Sequence, residues 1–191
     1  MSTLKMPAML FLAILLAGLP GGLKAEKKAA PPEFLLTPQK AGKLTLGMSI
    51  DEVYRLFGRE STRLDDLQSE GQFVPVLQIF LGPNRQNPAL AVGIHWENAW
   101  VAEPIMVYDP RFRTEKGIGV GSTLGELRKV HRVKSIYLVE GDLLASVEEL
   151  QMSFELKLPE IPPEFLETRD PQLIPDSAKI ICVELHRKRG N

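Results

Sequence analysis

The apolar positions between residues 44 and 58 follow the period of a helix and stand behind a capping motif. Ser49 and Glu52 have the spacing of a capping box, in which the hydroxyl accepts from the backbone N–H of Glu52 and the carboxylate returns to that of Ser49. The apolar side chains that follow fall on one helical face: Ile50, Val53, Leu56 and Phe57. Gly58 is a typical helix end. The pattern predicts a short helix that must pack against something, because an isolated helix of this length is unstable in water.

The same pattern returns later in the chain. The stretch "LGMSIDEVYRLFG" aligns with "VGSTLGELRKVHR", and the glycine, the hydroxyl cap and the acidic residue coincide: Gly47 with Gly121, Ser49 with Thr123, Glu52 with Glu126. A match of the whole pattern predicts a second capped helix and an internal duplication.

Segments typical of strands follow each helix. After the first helix they span residues 72–82, 89–96 and 99–109, and after the second they span 134–140, 142–148, 151–158 and 178–187. Residues 143–150 also fit a helical period, "VEGDLL" predicts a tight hairpin, and the Pro-rich residues 159–176 indicate a loop. We predict an α+β fold, a tandem repeat of a short helix packed on an antiparallel β-sheet.

The N-terminus has the layout of a secretory signal peptide. Lys5 precedes an unbroken apolar run over residues 8–19, which is shorter than the roughly twenty residues of a membrane-spanning helix. Pro20 and two glycines end the run, and Ala25 offers a small residue for cleavage. We therefore predict a signal peptide over 1–25, a flexible lead-in over 26–43, and one compact domain made of two helix-plus-sheet units over 44–113 and 114–191.

The cysteine content and the net charge limit the choice of cellular compartment and of partner class. No cysteine directly follows the apolar run, as a lipoprotein signal would require, and Cys182 alone cannot form an internal disulfide. The formal net charge of -1 gives no basic field for nucleic acid. We expect a soluble periplasmic or secreted bacterial protein that is not a lipoprotein and has no membrane span after signal cleavage.

Three glycines on alternate positions, Gly117, Gly119 and Gly121, precede the second helix in "TEKGIGVGSTLGEL". They lack the lysine of a Walker loop and the spacing of a dinucleotide fingerprint, so the pattern does not favour a phosphate site. We interpret the glycines as structural. Gly117 supplies a positive φ, and Gly121 lets the backbone approach the sheet before Thr123 caps the helix.

The stretches "LGMSIDEVYRLFG" and "RTEKGIGVGSTLGELRKVH" resemble the helix-start signatures of the BamE/SmpA and β-lactamase-inhibitor-protein-like superfamily. The second is also similar to the "T-x-x-G-I-G-V-G-S-T-x-x-E-L" segment of uncharacterised exported bacterial proteins. The resemblance covers about residues 44–158 and implies a helix packed on an antiparallel sheet, twice in tandem. Members serve as envelope-assembly lipoproteins or as inhibitors that grip an enzyme with a concave sheet face. The resemblance therefore implies protein binding, although this chain lacks the lipidated cysteine and the disulfides of those groups.

Residues that carry catalysis or bind metals do not cluster in the sequence. The histidines His95, His131 and His186 form no metal-binding spacing, so we expect no metal and no cofactor. His131 ends the second helix and is expected to interact with the carbonyl end of that helix. The adjacent acids Asp65–Asp66 and Glu148–Glu149 are typical of solvated turns.

Aromatic and arginine residues around one predicted hairpin and the loop after it are the best candidates for a binding surface: Trp96, Trp100, Tyr108, Arg111 and Arg113. The alternative is that the tryptophans pack in the core and that the arginines lie in a solvated loop. We predict an exported, non-enzymatic protein-binding module of the bacterial cell envelope, whose partner is another envelope protein. The alternatives are a small-ligand carrier or hydrolase with a pocket between the two units, and a secreted inhibitor of an enzyme.

Overall fold

The computed structural model describes residues 30–69, 71–83, 85–95 and 101–187. The predicted signal peptide, residues 1–25, lies outside the described residues. Among the described helices, none is long and apolar enough to cross a membrane.

The described chain has an α+β fold with two sheets, in which strands predominate. The helices are α1 (Ile50–Phe57), α2 (Leu124–Val130) and α3 (Pro163–Thr168). A small sheet contains β1 (Leu35–Thr37), β2 (Lys40–Ala41), β3 (Leu44–Thr45) and β8 (Arg113–Thr114), in the order β3–β2–β1–β8. A large sheet contains β4 (Thr62–Ser69), β5 (Gln72–Ile79), β6 (Leu90–His95), β7 (Val101–Val107), β9 (Ser135–Val139), β10 (Asp142–Val147), β11 (Met152–Lys157) and β12 (Lys179–Leu185).

The large sheet consists of two four-stranded antiparallel meanders joined side by side. Its strand order is β4–β5–β6–β7–β12–β11–β10–β9, and β7 pairs with β12, with Val107 opposite Val183. Outward from this junction, the strands of each meander therefore follow in reverse chain order, from the last strand to the first. Each meander follows one of the capped helices, α1 or α2, in the sequence.

Both helices begin with a formed capping box. The N–H of Ser49 donates to Oε2 of Glu52 at 2.9 Å, and the N–H of Glu52 donates to Oγ of Ser49 at 3.3 Å. The corresponding bonds between Thr123 and Glu126 measure 3.0 and 3.1 Å. Because each bond satisfies a backbone N–H that has no partner within the helix, the start of each helix is set locally.

A glycine before each helix fastens it to the last strand of its own meander. The N–H of Gly47 donates to the carbonyl of Ala102 at 3.0 Å, and the N–H of Gly121 donates to the carbonyl of Ile180 at 2.7 Å. The φ angles of the two glycines are +79° and +87°, a region in which other residues are strained. The two helices are thus attached to the sheet in the same way.

The main core lies between one face of the large sheet and the helices. Leu77, Ile105 and Val183 of the sheet are buried in one cluster with Val53 of α1 and Leu127 of α2. The opposite face has a separate and smaller buried cluster, to which no residue of the described helices belongs: Val76, Ala91, Met106 and Cys182. We call the side of the sheet defined by these four residues the helix-free face.

Part of the segment predicted as a flexible lead-in is folded. Residues 35–37 and 40–41 form strands of the small sheet, and Leu36 and Ala41 are buried. Leu36 lies opposite Thr114 in the parallel pairing of β1 with β8. The prediction is wrong for these residues because strands of two or three residues are too short to show an alternation, and the pairing partner is distant in sequence.

Two further elements differ from the sequence-based prediction. Asp65 and Asp66, expected in a solvated turn, lie in the middle of β4, which pairs with β5 along its whole length. Charged side chains suit β4 because it is an edge strand, where they discourage pairing with another chain. Helix α3 lies in the predicted Pro-rich loop, where Pro163 starts the helix and the fully buried Phe165 anchors it.

Candidate functional site

The glycine-rich loop before α2 is shaped by backbone geometry. Gly117 has a φ of +78°, and its N–H donates to the carbonyl of Thr114 at 2.8 Å. At Gly121 the backbone approaches the sheet as predicted, because its N–H donates to the carbonyl of Ile180 in β12. A Cβ atom on Gly119 would overlap the carbonyl oxygen of Phe112, so a second close backbone approach occurs there. Gly121 has open space at its Cβ position and is needed for its positive φ.

The side chain of Arg113 is hydrogen-bonded to the backbone of this loop. Its Nη1 donates to the carbonyl of Val120 at 2.7 Å, and the side chain is partly buried. Burial lowers the pKa of the Arg113 guanidinium, while the charge of Glu126 acts in the opposite direction. The structure therefore places Arg113 in a contact within the loop, away from the other candidate residues.

Arg111 borders a groove and is held by three partners. Its Nε donates to Oδ1 of Asp109 at 3.0 Å, and its Nη2 donates to the carbonyl of Leu81 at 3.1 Å. The guanidinium carbon lies 4.5 Å from the ring centroid of Phe34, a cation–π geometry. Burial raises the pKa of the Asp109 carboxyl, but hydrogen bonds from Arg111 outweigh this effect and hold the pKa below its usual value. Arg111 is therefore a fixed, neutralised charge at the rim of the groove.

Tyr108 lies on the helix-free face, on the other side of the same groove. Its hydroxyl contacts Sδ of Met106 at 3.6 Å and interacts with the thiol of Cys182. Burial raises the pKa of the Tyr108 hydroxyl, and the charges of Glu155 and Glu184 raise it further. The neutral phenol thus presents an O–H group beside an apolar patch, which is the usual arrangement of tyrosine at interfaces.

The groove has a volume of about 790 Å³. Its apolar lining comes from three strands and the segment after β5: Leu67, Val76, Leu81 and Ala91. The volume falls in the range of roughly 300–1,000 Å³ that is common for ligand sites. All residues that line the groove fall between positions 67 and 111, so it lies within the first predicted unit and not between the two units.

The β4–β5 hairpin beside the groove exposes large apolar side chains. Phe73 is 75% exposed and Leu64 is 60% exposed, and Leu67 and Val74 are also exposed. Leu67 and Val74 pair directly and lie on the face of the groove, whereas Leu64 and Phe73 alternate onto the other face. Exposed apolar side chains that lie together mark contact surfaces more often than isolated ones do. Sequence analysis misses this surface because β4 is rich in polar residues and was not recognised as a strand.

The structure brings together only part of the predicted binding set. Tyr108 and Arg111 both line the groove, Arg113 supports the glycine-rich loop, and Trp96 and Trp100 lie outside the described residues. The residues that complete the groove come mainly from the segment between β5 and β6 and from the strands β4, β5 and β6, which carried no functional signal in the sequence.

Glu155, Cys182 and Glu184 are the described residues whose donor atoms come close enough to surround a metal ion, all within 4.8 Å of one another. Burial raises the pKa of the Cys182 thiol, and the charges of Glu184 and Glu155 raise it further. Burial also raises the pKa of Glu155. The carboxyls of Glu155 and Glu184 and the thiol of Cys182 therefore form one electrostatically coupled cluster beside Tyr108.

The side chain of His131 does not make the contact with the carbonyl end of α2 that the sequence predicted. Its Nδ1 is hydrogen-bonded to the carboxylate of Glu149, in the single 3-10 turn Glu148–Leu150, and this bond lowers the pKa of Glu149. The last carbonyl of α2, on Val130, accepts a hydrogen bond from Nζ of Lys116 at 2.7 Å. The side chain of Lys116, and not that of His131, thus interacts with the carbonyl end of the helix.

The fold is similar to the crystal structure of the uncharacterized protein YfeY from Escherichia coli. The two chains are 17% identical, the TM-score is 0.58, and the match covers 80% of this chain and 99% of the YfeY chain. At this identity the likeness shows a shared α+β fold. Comparisons with protein-family models and with curated proteins gave no match.

Proposed function

We propose that this protein is an exported, non-enzymatic protein-binding module of the bacterial cell envelope. The observation that carries the proposal is a groove on a sheet face without helices, next to a hairpin with exposed apolar side chains. Folded domains normally bury large apolar side chains, so the exposed Leu67 and Val74 beside the groove favour contact with a partner.

The chemistry of the groove suits a polypeptide. Leu67 offers an exposed apolar contact, and Gln78 adds a side-chain amide whose hydrogen bonds hold it in place. Its Oε1 accepts from Nη2 of Arg63 at 2.7 Å, and its Nε2 donates to Oδ2 of Asp65 at 2.9 Å. Side chains that are held before binding lose little conformational freedom on binding, which favours affinity. Apolar contacts with a few oriented polar groups are typical of protein interfaces.

We also infer that the domain arose by duplication of one helix-plus-meander unit, over residues 44–113 and 114–191. The two capping boxes, the two glycine attachments and the mirrored strand order support this inference. It agrees with the resemblance to the BamE/SmpA and β-lactamase-inhibitor-protein-like superfamily, some of whose members grip a partner with a sheet face.

The proposed location is the periplasm or the exterior of the cell. The signal-peptide layout of residues 1–25 supports export, and the absence of a cysteine just after the apolar run favours a soluble protein over a lipoprotein. The partner is then another envelope protein.

Site-specific photocrosslinking in cells tests the protein-binding proposal. A photoreactive residue in place of Leu67 or Asn87 should trap the same envelope protein, because both side chains line the groove and are exposed. Leu166 of α3 is a matched control, since it is 47% exposed and belongs to the helical layer. Trapping of the same product from Leu166 would contradict the proposal, as would no product from Leu67 and Asn87.

A small-ligand carrier is the second candidate, because the groove volume of about 790 Å³ also fits a small molecule. Native mass spectrometry of the protein purified from its host distinguishes the two candidates. A retained small molecule that is lost in Val76→Trp, without any crosslinked partner, would favour the carrier.

A further inference from the structure

A second cavity, with a volume of about 270 Å³, lies between β1, the turn after β8 and the 3-10 turn after β10. We call it the His131 cavity. Its lining is apolar at Leu36, Pro38 and Leu150, and it also includes the hydroxyl-bearing Thr37 and Thr114. At roughly 30 Å³ for each water molecule, the space is large enough for a small organic molecule.

His131 lines this cavity, and its ring carries a hydrogen-bonding atom without a partner. The side chain is only 3% exposed, and Nε2 is buried without a hydrogen-bond partner anywhere in the described residues. An acceptor that is buried without a donor is unfavourable, because it has lost its hydrogen bond to water. This atom therefore needs a partner that the described part of the chain does not supply.

The other ring nitrogen shows what kind of partner is required. Nδ1 of His131 is hydrogen-bonded to the carboxylate of Glu149, which accepts, so Nδ1 carries the proton in the neutral ring. Nε2 then carries a lone pair, and the carboxylate behind the ring strengthens it as an acceptor. For the neutral ring, the partner of Nε2 is a hydrogen-bond donor.

Neighbouring groups neither satisfy this atom nor form a metal site with it. Nζ of Lys116 donates to the carbonyl of Val130, and Oγ1 of Thr114 accepts from the N–H of Ile118 at 3.1 Å. Within the described residues, the group of three close donor atoms that could hold a metal lies elsewhere and does not include His131. A single imidazole is too few ligands for a structural metal ion.

We propose that the His131 cavity binds a small molecule that donates an O–H or N–H to Nε2 of His131 and packs an apolar body against Leu36 and Leu150. This site is separate from the groove and goes beyond the proposed protein-binding function. Glu149 acts as a positioning residue, because it orients the ring and does not touch the bound molecule through its hydrogen-bonded oxygen.

Phenol and toluene are suitable probes, because they have nearly the same size and only phenol has a donor. Each is titrated into the whole protein labelled with ¹⁵N-histidine, and the ring nitrogens are followed by NMR. Phenol should bind saturably, shift the Nε2 resonance of His131 and bind at least about tenfold more tightly than toluene. His186 is exposed and lies beside Glu184, and its resonances should not change.

Variants separate the hydrogen bond from a general effect of the cavity. His131→Phe keeps a ring but removes the acceptor, so phenol and toluene should bind it equally, whereas His186→Phe should keep the preference for phenol. Glu149→Gln should reduce the preference, and Glu148→Gln, next to it and paired with Lys134, should not.

Equal binding of the two probes by the wild-type protein would overturn the proposal, as would an Nε2 that carries a proton in the ligand-free protein. Absence of saturable phenol binding would show that only water fills the cavity and would also overturn it. These outcomes need no variant, so misfolding of His131→Phe would leave the test intact.

Discussion

Alanine at Gly119 is expected to destabilise the protein more than alanine at Gly121, although both glycines belong to one loop. At Gly121 the φ of +87° strains any side chain, but the space around the Cβ position is open. At Gly119 the φ is not in the left-handed region. A Cβ atom there would overlap the carbonyl oxygen of Phe112 and would lie 2.7 Å from Nη1 of Arg113.

The magnitudes follow from these two mechanisms. A left-handed conformation costs an alanine about 1–2 kcal/mol, which is the expected loss at Gly121. Inserting an atom into a packed site costs about 1–3 kcal/mol and sometimes more. At Gly119 the cost falls at the upper end, because Phe112 is buried and its carbonyl belongs to the backbone. Displacing Arg113 from the Val120 carbonyl adds about 1 kcal/mol.

Urea unfolding followed by far-UV circular dichroism measures both variants. We expect a loss of about 3–4 kcal/mol for Gly119→Ala and of about 1–2 kcal/mol for Gly121→Ala, with unchanged m-values. The midpoint of thermal unfolding should fall by about 2–4 °C for each kcal/mol in a chain of this size. If Gly119→Ala is no less stable than Gly121→Ala, the close backbone approach does not determine the loop.

Three further contacts can be tested in the same way. Arg113→Met should lose about 1–2 kcal/mol of unfolding free energy with its bond to the Val120 carbonyl, and wild-type stability would contradict that role. Thr123→Ala should lose about 0.5–2 kcal/mol with the helix cap, whereas Thr123→Ser should retain it. Because Arg111 lowers the pKa of Asp109 in the folded state, this carboxylate stabilises the fold above its usual pKa and ceases to do so as the pH falls through the lowered value. The urea midpoint should therefore drop more steeply between pH 5 and pH 2 in the wild type than in Asp109→Asn.

Local features of the sequence determined the starts of α1 and α2. Each capping box joins a side chain to the backbone three residues away, so residue identity and spacing suffice to predict it. The same holds for the hairpin between β9 and β10, in which Val139 pairs with Asp142 across Glu140 and Gly141, both with positive φ. The seven predicted strands follow from the alternation or β-branching of their own residues.

Features that depend on distant contacts were decided by the tertiary structure. The polar strand β4 shows little periodicity of its own, and its conformation follows from pairing with β5. The parallel pairing of β1 with β8 and the contact of His131 with Glu149 likewise join segments whose proximity no local pattern encodes.

The sequence by itself therefore determined that this protein has two similarly capped helices, each followed by antiparallel strands. Only the tertiary structure decided that the meanders join at β7 and β12, that the groove lies within the first half, and that a buried imidazole keeps one nitrogen unused. The physical reason is the separation along the sequence over which each interaction acts. Capping and alternation act between residues a few positions apart, whereas a groove or a buried polar atom exists only when remote segments meet and exclude water.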